Sequence, residues 1–559
     1  MKIHAFGAIV LIAALAACNN QPSNPSSVSQ PSVTVAIDAS ITPQQFRALA
    51  ATPGLPALGV IETSEGKASF LGDQIVVKLP SANRAQALEQ ILKRRAATLL
   101  DDNRIPTPPS TIPRSELRPV ADRGYRLIGL TPSTSDRGRL VERLTRAGYK
   151  GVVKFSSDAA ADLFNSVLSV RQDDPAIAEY AEPNWVAEPN AVYNDHLVGG
   201  SYLAATDNDA LTNLNVSQPG GAWDYKYGGV PVDGRGVQIA ILDAGFDPSN
   251  YEMTGYDPTL GYAPYTRTVW QYDFHQSDYN VSVTPNEDCV GSSFCYHGLG
   301  TSSVAAGIRG NHYGTAGVAP RADLFLFRTS GYSFFTQIMS FYNASRAVDT
   351  AVAWGADVIN MSFGTSLANC GESVICYLAS AVVNAKNAGL IILASGGNNN
   401  CRNEFNNGSA NPCYETPGMW ADVIGVGAHD RNFYRSKWGS AGSSYGASMD
   451  IWAPGGGGSG RSYGYLDLFS VPTPQSTYCY GSAQCSTQSN ASRLFSFNGT
   501  SAASPHAAGV AALMKQIKPS ITQAEVLYTM QANGRIGPDP EVGRILDARA
   551  AIYALGARP

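Results

Sequence analysis

Charge is scarce in this chain, and positive charge is not in excess. Asp, Glu, Lys and Arg make up 15% of the 559 residues, and the formal net charge is −5. A nucleic-acid partner asks for a basic face or stripe, so no such partner is expected. Long apolar runs are also scarce. The notable one, Ala5 to Leu15, falls short of the roughly 20 residues that a spanning helix needs. Cysteine spacing of the usual zinc kind is missing as well, since the recurring interval is Cys-x5-Cys. No internal repeat is visible. What the chain does have is a 44% hydrophobic content, ample for a large core. Its length calls for two domains plus targeting and linker segments.

The N-terminus carries an address. Lys2 precedes the apolar run, and the small residues Ala16 and Ala17 follow it, the layout of a secretory signal. Cys18 comes next, and Leu15-Ala16-Ala17-Cys18 resembles the lipobox of bacterial lipoproteins. That resemblance implies cleavage before Cys18 and acylation of its thiol, so that membrane contact goes through lipid. Eight cysteines remain, an even number that reads as a disulfide set in an exported chain. They fall into neighbouring pairs: Cys289 with Cys295, Cys370 with Cys376, Cys401 with Cys413, and Cys479 with Cys485. Local spacing favours these four short loops, although eight cysteines leave other connectivities open.

From Asn19 to about 34 the chain is Ser-, Pro-, Asn- and Gln-rich, a composition that cannot bury enough surface to fold. The domain boundaries drawn are a signal at 1–17, the lipidated cysteine and a tether at 18–70, an α+β unit at 71–187, and a larger domain at 188–559. In the α+β unit, strands are expected at 72–79, 125–130 and 151–155, and helices at 82–100, 135–147 and 159–170. A Pro-rich stretch at 105–119 interrupts, and an extended segment at 177–186 closes the unit. Beyond Asn190, short apolar strands alternate with alanine-rich helices. Strands are expected at 237–243, 323–328, 357–362, 390–395, 422–427 and 449–452. Helices are expected at 298–308, 341–354, 374–388, 499–517 and 522–531. This alternation argues for an α/β fold, a parallel sheet covered by helices on both faces.

Three segments stand at strand ends or helix starts, where such a sheet exposes reactive groups. Ile239-Ala240-Ile241-Leu242-Asp243 is a strand ending in a carboxylate. His297-Gly298 opens a small-residue helix, and Asn498-Gly499-Thr500-Ser501-Ala502-Ala503-Ser504-Pro505-His506 sets a hydroxyl at the start of another. A serine hydroxyl is a weak nucleophile until a base takes its proton, and that base must be held in one tautomer. These blocks resemble those of the subtilisin (S8) peptidase family over roughly 190–555, in the same order. The resemblance implies Ser501 as nucleophile, His297 as general base and then acid, and Asp243 as the residue that orients the imidazole. Ser395-Gly396-Gly397-Asn398 resembles the oxyanion segment, with the Asn398 amide and the Ser501 N–H as donors. Polypeptide substrate would lie as an added strand between Ser362-Phe363-Gly364 and Ser395-Gly396-Gly397.

Two departures stand out. Ala244 follows Asp243 where the family has Ser or Thr, which removes one hydrogen bond to the carboxylate. Leu299-Gly300-Thr301-Ser302-Ser303 follows His297-Gly298 where the family favours Thr. The α+β unit resembles the family's inhibitory prodomain, the chain's own partner until self-cleavage between about 186 and 200. That cut would separate the exported catalytic domain, expected to be a monomer, from the lipid at Cys18. No cofactor is implied for catalysis; the family's structural calcium is allowed for, with no ligands assigned. The rival readings are an inactive surface-binding protein on the same fold, the sedolisin branch with Glu and Asp partners, and peptide ligation through the same acyl-enzyme. The residue after Asn398 is Asn399, which leaves no carboxylate evident there and favours apolar or aromatic residues before the cut bond.

Overall fold

Two sheets organise the chain, and each grows from the periodicity of its own segment. The computed structural model describes residues 33–42, 58–64, 66–130, 137–189, 209–256, 260–263, 266–282, 297–311, 316–331, 338–366, 376–403, 412–413, 415–456, 465–469 and 493–559. The first sheet contains β1 (Val33–Ile37), β2 (Leu58–Thr63), β3 (Gly66–Lys78), β4 (Thr98–Asp101), β5 (Tyr125–Gly129), β6 (Gly151–Phe155) and β7 (Tyr180–Pro189). Its helices are α1 (Arg84–Arg95), α2 (Arg137–Arg146) and α3 (Asp158–Asp173). The strand order is β1-β6-β2-β3-β7, with β5 also beside β3 and β4 beside β5. Pairing is antiparallel except between β1 and β6. One face is covered by α3, whose Phe164 packs against Phe70, Phe155 and Trp185.

The second sheet has nine strands among the described residues. In chain order its main members are β8 (Gln238–Asp243), β9 (Val269–Asp273), β10 (Asp323–Arg328), β12 (Val358–Met361), β14 (Ile391–Ser395), β16 (Ile424–His429) and β17 (Ile451–Pro454). The short strands β11 (Ile338–Ser340), β13 (Phe363–Ser366) and β15 (Glu415–Thr416) join the first sheet instead. The order in the sheet is β9-β10-β8-β12-β14-β16-β17, all parallel. A hairpin at 535–536 and 544–545 completes the edge. Residues Ile239 to Asp243 are fully buried, without the alternation of a half-exposed strand, because helices cover both faces. Those helices are α4 (His297–Ala306), α5 (Phe341–Trp354), α6 (Cys376–Asn387), α7 (Thr500–Ile517) and α8 (Gln523–Ala532). Ser340 caps α5 by accepting from Asn343 N, and Thr522 and Glu525 form a reciprocal cap on α8.

The two sheets are not independent bodies. The face of the first sheet away from α3 meets α5 and α6, with Tyr125 packed edge-on against Tyr377. A single apolar cluster runs from Phe70 and Ile75 through Tyr342 and Trp354 to Phe325 and Phe327. Among the described residues, no helix is long and apolar enough to cross a membrane.

Most elements sit where their patterns place them, and four differences are informative. The helix expected at 82–100 ends at Arg95, because Ala96 turns left-handed (φ 48°) and its N–H closes on Leu92. Thr98–Asp101 then pairs with β5. The sheet also starts well before 71: β1 and β2 fall in the stretch assigned to a tether and are held by β6 and β3. Strand β9 was not expected, since its polar Gln271 and Asp273 interrupt the apolar pattern. Cys18 and the signal segment lie outside the described residues. So do Cys289, Cys295, Cys370, Cys479 and Cys485. Cys401 is disulfide-bonded, and the backbone of 402–403 runs alongside 412–413.

Burial gives four groups opposing pH dependences. It pushes the carboxyls of Asp273 and Asp450 up to about 6 and about 7. It pushes the imidazoles of His429 and His506 down to about 3 and about 4. The raised carboxyls lose stability as pH rises from about 4 through their folded values; the lowered imidazoles lose it as pH falls from about 6.5. Asp450 accepts from Gly425 N at 2.9 Å, a bond that an asparagine keeps. In a Ser501→Ala background, Asp450→Asn is expected to leave stability unchanged near pH 4 and to raise it increasingly up to pH 8. Urea denaturation of both proteins at pH 4, 6 and 8 checks this; a pH-independent difference contradicts it.

Candidate active site

Strand β8 ends at Asp243, helix α4 begins at His297, and helix α7 begins one residue before Ser501, so three chain segments converge at one end of the sheet. The convergence is tight because α4 cannot stand off from β8. A Cβ on Gly298 would come within 2.6 Å of the Phe246 ring and 2.9 Å of the Gly245 carbonyl, so glycine is needed there. Phe497 lies edge-on to the imidazole at 5.2 Å. Asp243, His297 and Ser501 are all fully buried.

Asp243 Oδ1 meets His297 Nδ1 at 2.5 Å. The carboxylate accepts two further bonds, from Ala244 N at 2.6 Å and from the Thr301 hydroxyl at 3.0 Å. The Thr301 proton is shared with the Gly298 carbonyl, also at 3.0 Å. An ionised carboxylate only accepts, so it fixes the proton on Nδ1 and leaves Nε2 as the basic nitrogen. Among the described residues, Nε2 has no hydrogen-bond partner. The Ser501 hydroxyl points away from it, donating to the Ser362 carbonyl at 3.0 Å. Rotation about a single side-chain torsion redirects that hydroxyl, and catalytic hydrogen bonds in unliganded sites are commonly open in this way.

The residues expected around this trio are close to it. Ser362 Oγ donates to the Ser501 carbonyl at 3.0 Å and accepts from Asn360 Nδ2, while Ser504 Oγ donates to Asn360 Oδ1 at 2.7 Å. This network ties the end of β12 to the first turn of α7. Asn398 Oδ1 accepts from both the N–H and the hydroxyl of Thr500 at 3.0 Å. A backbone N–H can only donate, so Oδ1 is the acceptor and Nδ2 is the donor end of the side chain. Gly397 adopts φ +90°, which favours glycine, and its N–H donates to Thr500 Oγ1. Ser395 ends β14, and Gly396 N bonds Val426 O.

Strand β7 lies along 363–364, one of the two segments expected to flank an extended substrate. Glu188 and Pro189 pair antiparallel with Gly364 and Phe363, and Val186 and Ala187 pair with Ser340 and Met339. The flanking strand is therefore β11 on one side and β13 on the other. The expectation had placed the partner at 395–397, where the glycines are instead engaged by Val426 and Thr500. Two further residues escaped the sequence reading. Thr301 supplies the hydroxyl that Ala244 lacks, from the adjacent helix, and its signal was the shifted threonine after His297-Gly298. Glu415, buried against Gly397, accepts from the Asn399 amide; its distance along the chain hid it. His506 is a packed residue whose Nδ1 meets the Ala502 carbonyl at 2.8 Å. Among the described residues, no group of three or more His, Cys, Asp or Glu could hold a metal ion, and calcium ligands remain unassigned.

Comparison with known proteins identifies the family. The model of the subtilase family matches residues 234–543. The thermophilic serine proteinase of Bacillus sp. (strain AK1) is 27% identical over 356 residues, 62% of this chain and 66% of that protein. Thermitase of Thermoactinomyces vulgaris is 29% identical over 296 residues, 52% of this chain and 77% of that protein. The crystal structure of fervidolysin from Fervidobacterium pennivorans, a keratinolytic enzyme related to subtilisin, shares the fold. It superposes with a TM-score of 0.52 at 16% identity, over 96% of this chain and 65% of that one. The chain belongs to the subtilase family, and its class is that of a subtilisin-like serine endopeptidase.

A hydrogen bond to a charged group contributes about 1.5–3 kcal/mol. Thr301→Val is therefore expected to lower kcat/KM by about tenfold or more, with the loss in kcat. Thr301→Ser, which keeps the hydroxyl, is expected to recover most of it. Steady-state kinetics on a chromogenic peptide checks both; equal defects in the two variants contradict the assigned role.

Proposed function

We propose that this chain is a serine endopeptidase that cleaves polypeptides through an acyl-enzyme and first processes itself. The observation that carries the reading is the buried Asp243–His297 hydrogen bond beside the Ser501 helix start. In the reaction, the Ser501 hydroxyl turns to His297 Nε2, loses its proton there and attacks the peptide carbonyl. The Asn398 amide and the Ser501 N–H hold the resulting oxyanion. Collapse breaks the C–N bond, and the imidazolium gives its proton to the leaving amine. Water, deprotonated by the same nitrogen, then attacks the acyl-serine, and collapse restores Ser501. Asp243 stays ionised throughout and stabilises the imidazolium.

Self-processing is supported by β7. Its register sets Glu188 against Gly364 and Pro189 against Phe363, so the chain runs toward Ser362, whose carbonyl touches Ser501. The bond cut is within one or two residues beyond Pro189, and the unit before it acts as the inhibitor-type prodomain. The Leu15-Ala16-Ala17-Cys18 signature makes the exported precursor lipid-anchored, and the cut severs the covalent link between anchor and catalytic part.

Purified wild type is expected to hydrolyse casein, to lose that activity to a serine-reactive inhibitor, and to show a new N-terminus just after Pro189 on sequencing. Ser501→Ala is expected to remain one inactive chain. Casein hydrolysis that persists in Ser501→Ala rules out the assigned nucleophile. Membrane fractionation of Cys18→Ala against wild type tests the anchor, with loss of the precursor from membranes expected.

A further inference from the structure

Glu415 has no part in the acid–base chemistry, yet three segments around the cleft converge on it. Strand β15 pairs antiparallel with β13, with Glu415 opposite Ser366 and Thr416 opposite Thr365. The Thr416 hydroxyl donates to the Thr365 carbonyl at 3.3 Å. The turn after β15 lies against the end of β14: a Cβ on Gly418 would come within 2.3 Å of the Ser395 carbonyl oxygen and 3.3 Å of Gly396 Cα. Gly397 meets the carboxylate itself. A Cβ there would stand 2.3 Å from Glu415 Cδ and 2.6 Å from its Oε1. The carboxylate therefore lies against bare glycine backbone, between 363–366 and 395–399. The Asn399 amide donates to Oε1, and Cys401 Sγ lies 4.0 Å from it. With β7 in place on 363–364, Glu415 is 1% exposed.

On the endopeptidase reading, the carbonyl to be attacked meets Ser501, beside Ser362. A chain that follows the course of β7 along Gly364 and Phe363 brings the residue before the cut bond between 362–364 and 395–397. We propose that Glu415 closes the far end of the slot between these two walls, and that the enzyme selects lysine or arginine before the cut bond. The proposal rests on the endopeptidase reading and names its substrate class. It reverses the apolar or aromatic preference expected from Asn399, whose amide instead supports the carboxylate. A carboxylate accepts about four hydrogen bonds, so a substrate cation can join the Asn399 amide on it. Charge-assisted bonds are the strong ones, and an arginine fork meets a carboxylate with two of them. Burial strengthens the pair, because little water screens it. An apolar side chain in the same slot would strip water from the carboxylate and return no bond. Between Arg171 and Lys226 the sequence holds no lysine or arginine, so the self-cut beyond Pro189 makes no use of this contact. A reaction within one chain already has its substrate held in place.

The test reads preference and not activity alone. Processed wild type and Glu415→Gln, which keeps an oxygen for the Asn399 amide and removes the charge, are assayed on chromogenic peptides. The peptides differ only in the residue before the cut bond: arginine, lysine, leucine or phenylalanine. Wild type is expected to give the arginine and lysine peptides a kcat/KM at least about tenfold above the other two. Glu415→Gln is expected to lower that ratio at least about tenfold. Wild type that favours leucine or phenylalanine overturns the proposal, and this arm needs no variant to fold. A variant that loses activity on all four peptides alike, with the ratio unchanged, also overturns it, since a carboxylate that only supports Asn399 would act in that way. Wild type that cleaves neither casein nor any of the four peptides overturns the endopeptidase reading on which the proposal rests.

Discussion

The hydrogen bond between Asp243 and His297 is the constraint on which the rest of the site depends. Both side chains are fully buried, and a carboxylate in that position is tolerable only when its lone pairs are filled. Ala244 N, the Thr301 hydroxyl and His297 Nδ1 fill them. This set holds the imidazole in the tautomer that keeps Nε2 basic. It also requires α4 to lie against the loop after β8, which is why Gly298 cannot carry a side chain. Ala244 offers the carboxylate no hydroxyl, and one from α4, that of Thr301, reaches it at 3.0 Å.

Around that pair, the parallel sheet supplies rigid strand ends and the first turn of α7 supplies Ser501. Thr500 joins the two halves of the chemistry. Its N–H and hydroxyl orient Asn398, its Oγ1 receives Gly397 N, and the next residue is Ser501. A change at Thr500 would disturb Ser501 and Asn398 together. The N-terminal unit exploits the same edges from outside. Its β7 pairs antiparallel with β11 and β13, while its open face and residues 101–124 pack on α5 and α6. One apolar cluster thus joins the first sheet to α5 and α6.

Much of this was legible in the sequence because the signals were local. Continuous apolar strands such as Ile239-Ala240-Ile241-Leu242 announced a sheet covered on both faces, and β6 begins and ends where its pattern says. The four residues Asp243, His297, Asn398 and Ser501 were visible through their motif blocks, and the structure brings them to one end of the sheet. What stayed hidden was long-range or compensated. Strand β9 carries polar residues that pair only in the fold. The segment at 101–124 reads as a Pro-rich interruption, since its partners lie well over a hundred residues away. Glu415 is invisible beside Gly397 until both strands are in place. Ala244 looked like a lost hydrogen bond because its replacement, Thr301, arrives from another helix.

The central claim is that the buried pair activates Ser501 and no other hydroxyl. Mass spectrometry of the processed enzyme after treatment with a fluorophosphonate probe tests it directly. The account predicts one covalent adduct, on the peptide containing Ser501, formed far more slowly in His297→Ala. An adduct on a different serine, or labelling of Ser501 that is indifferent to His297, would contradict it.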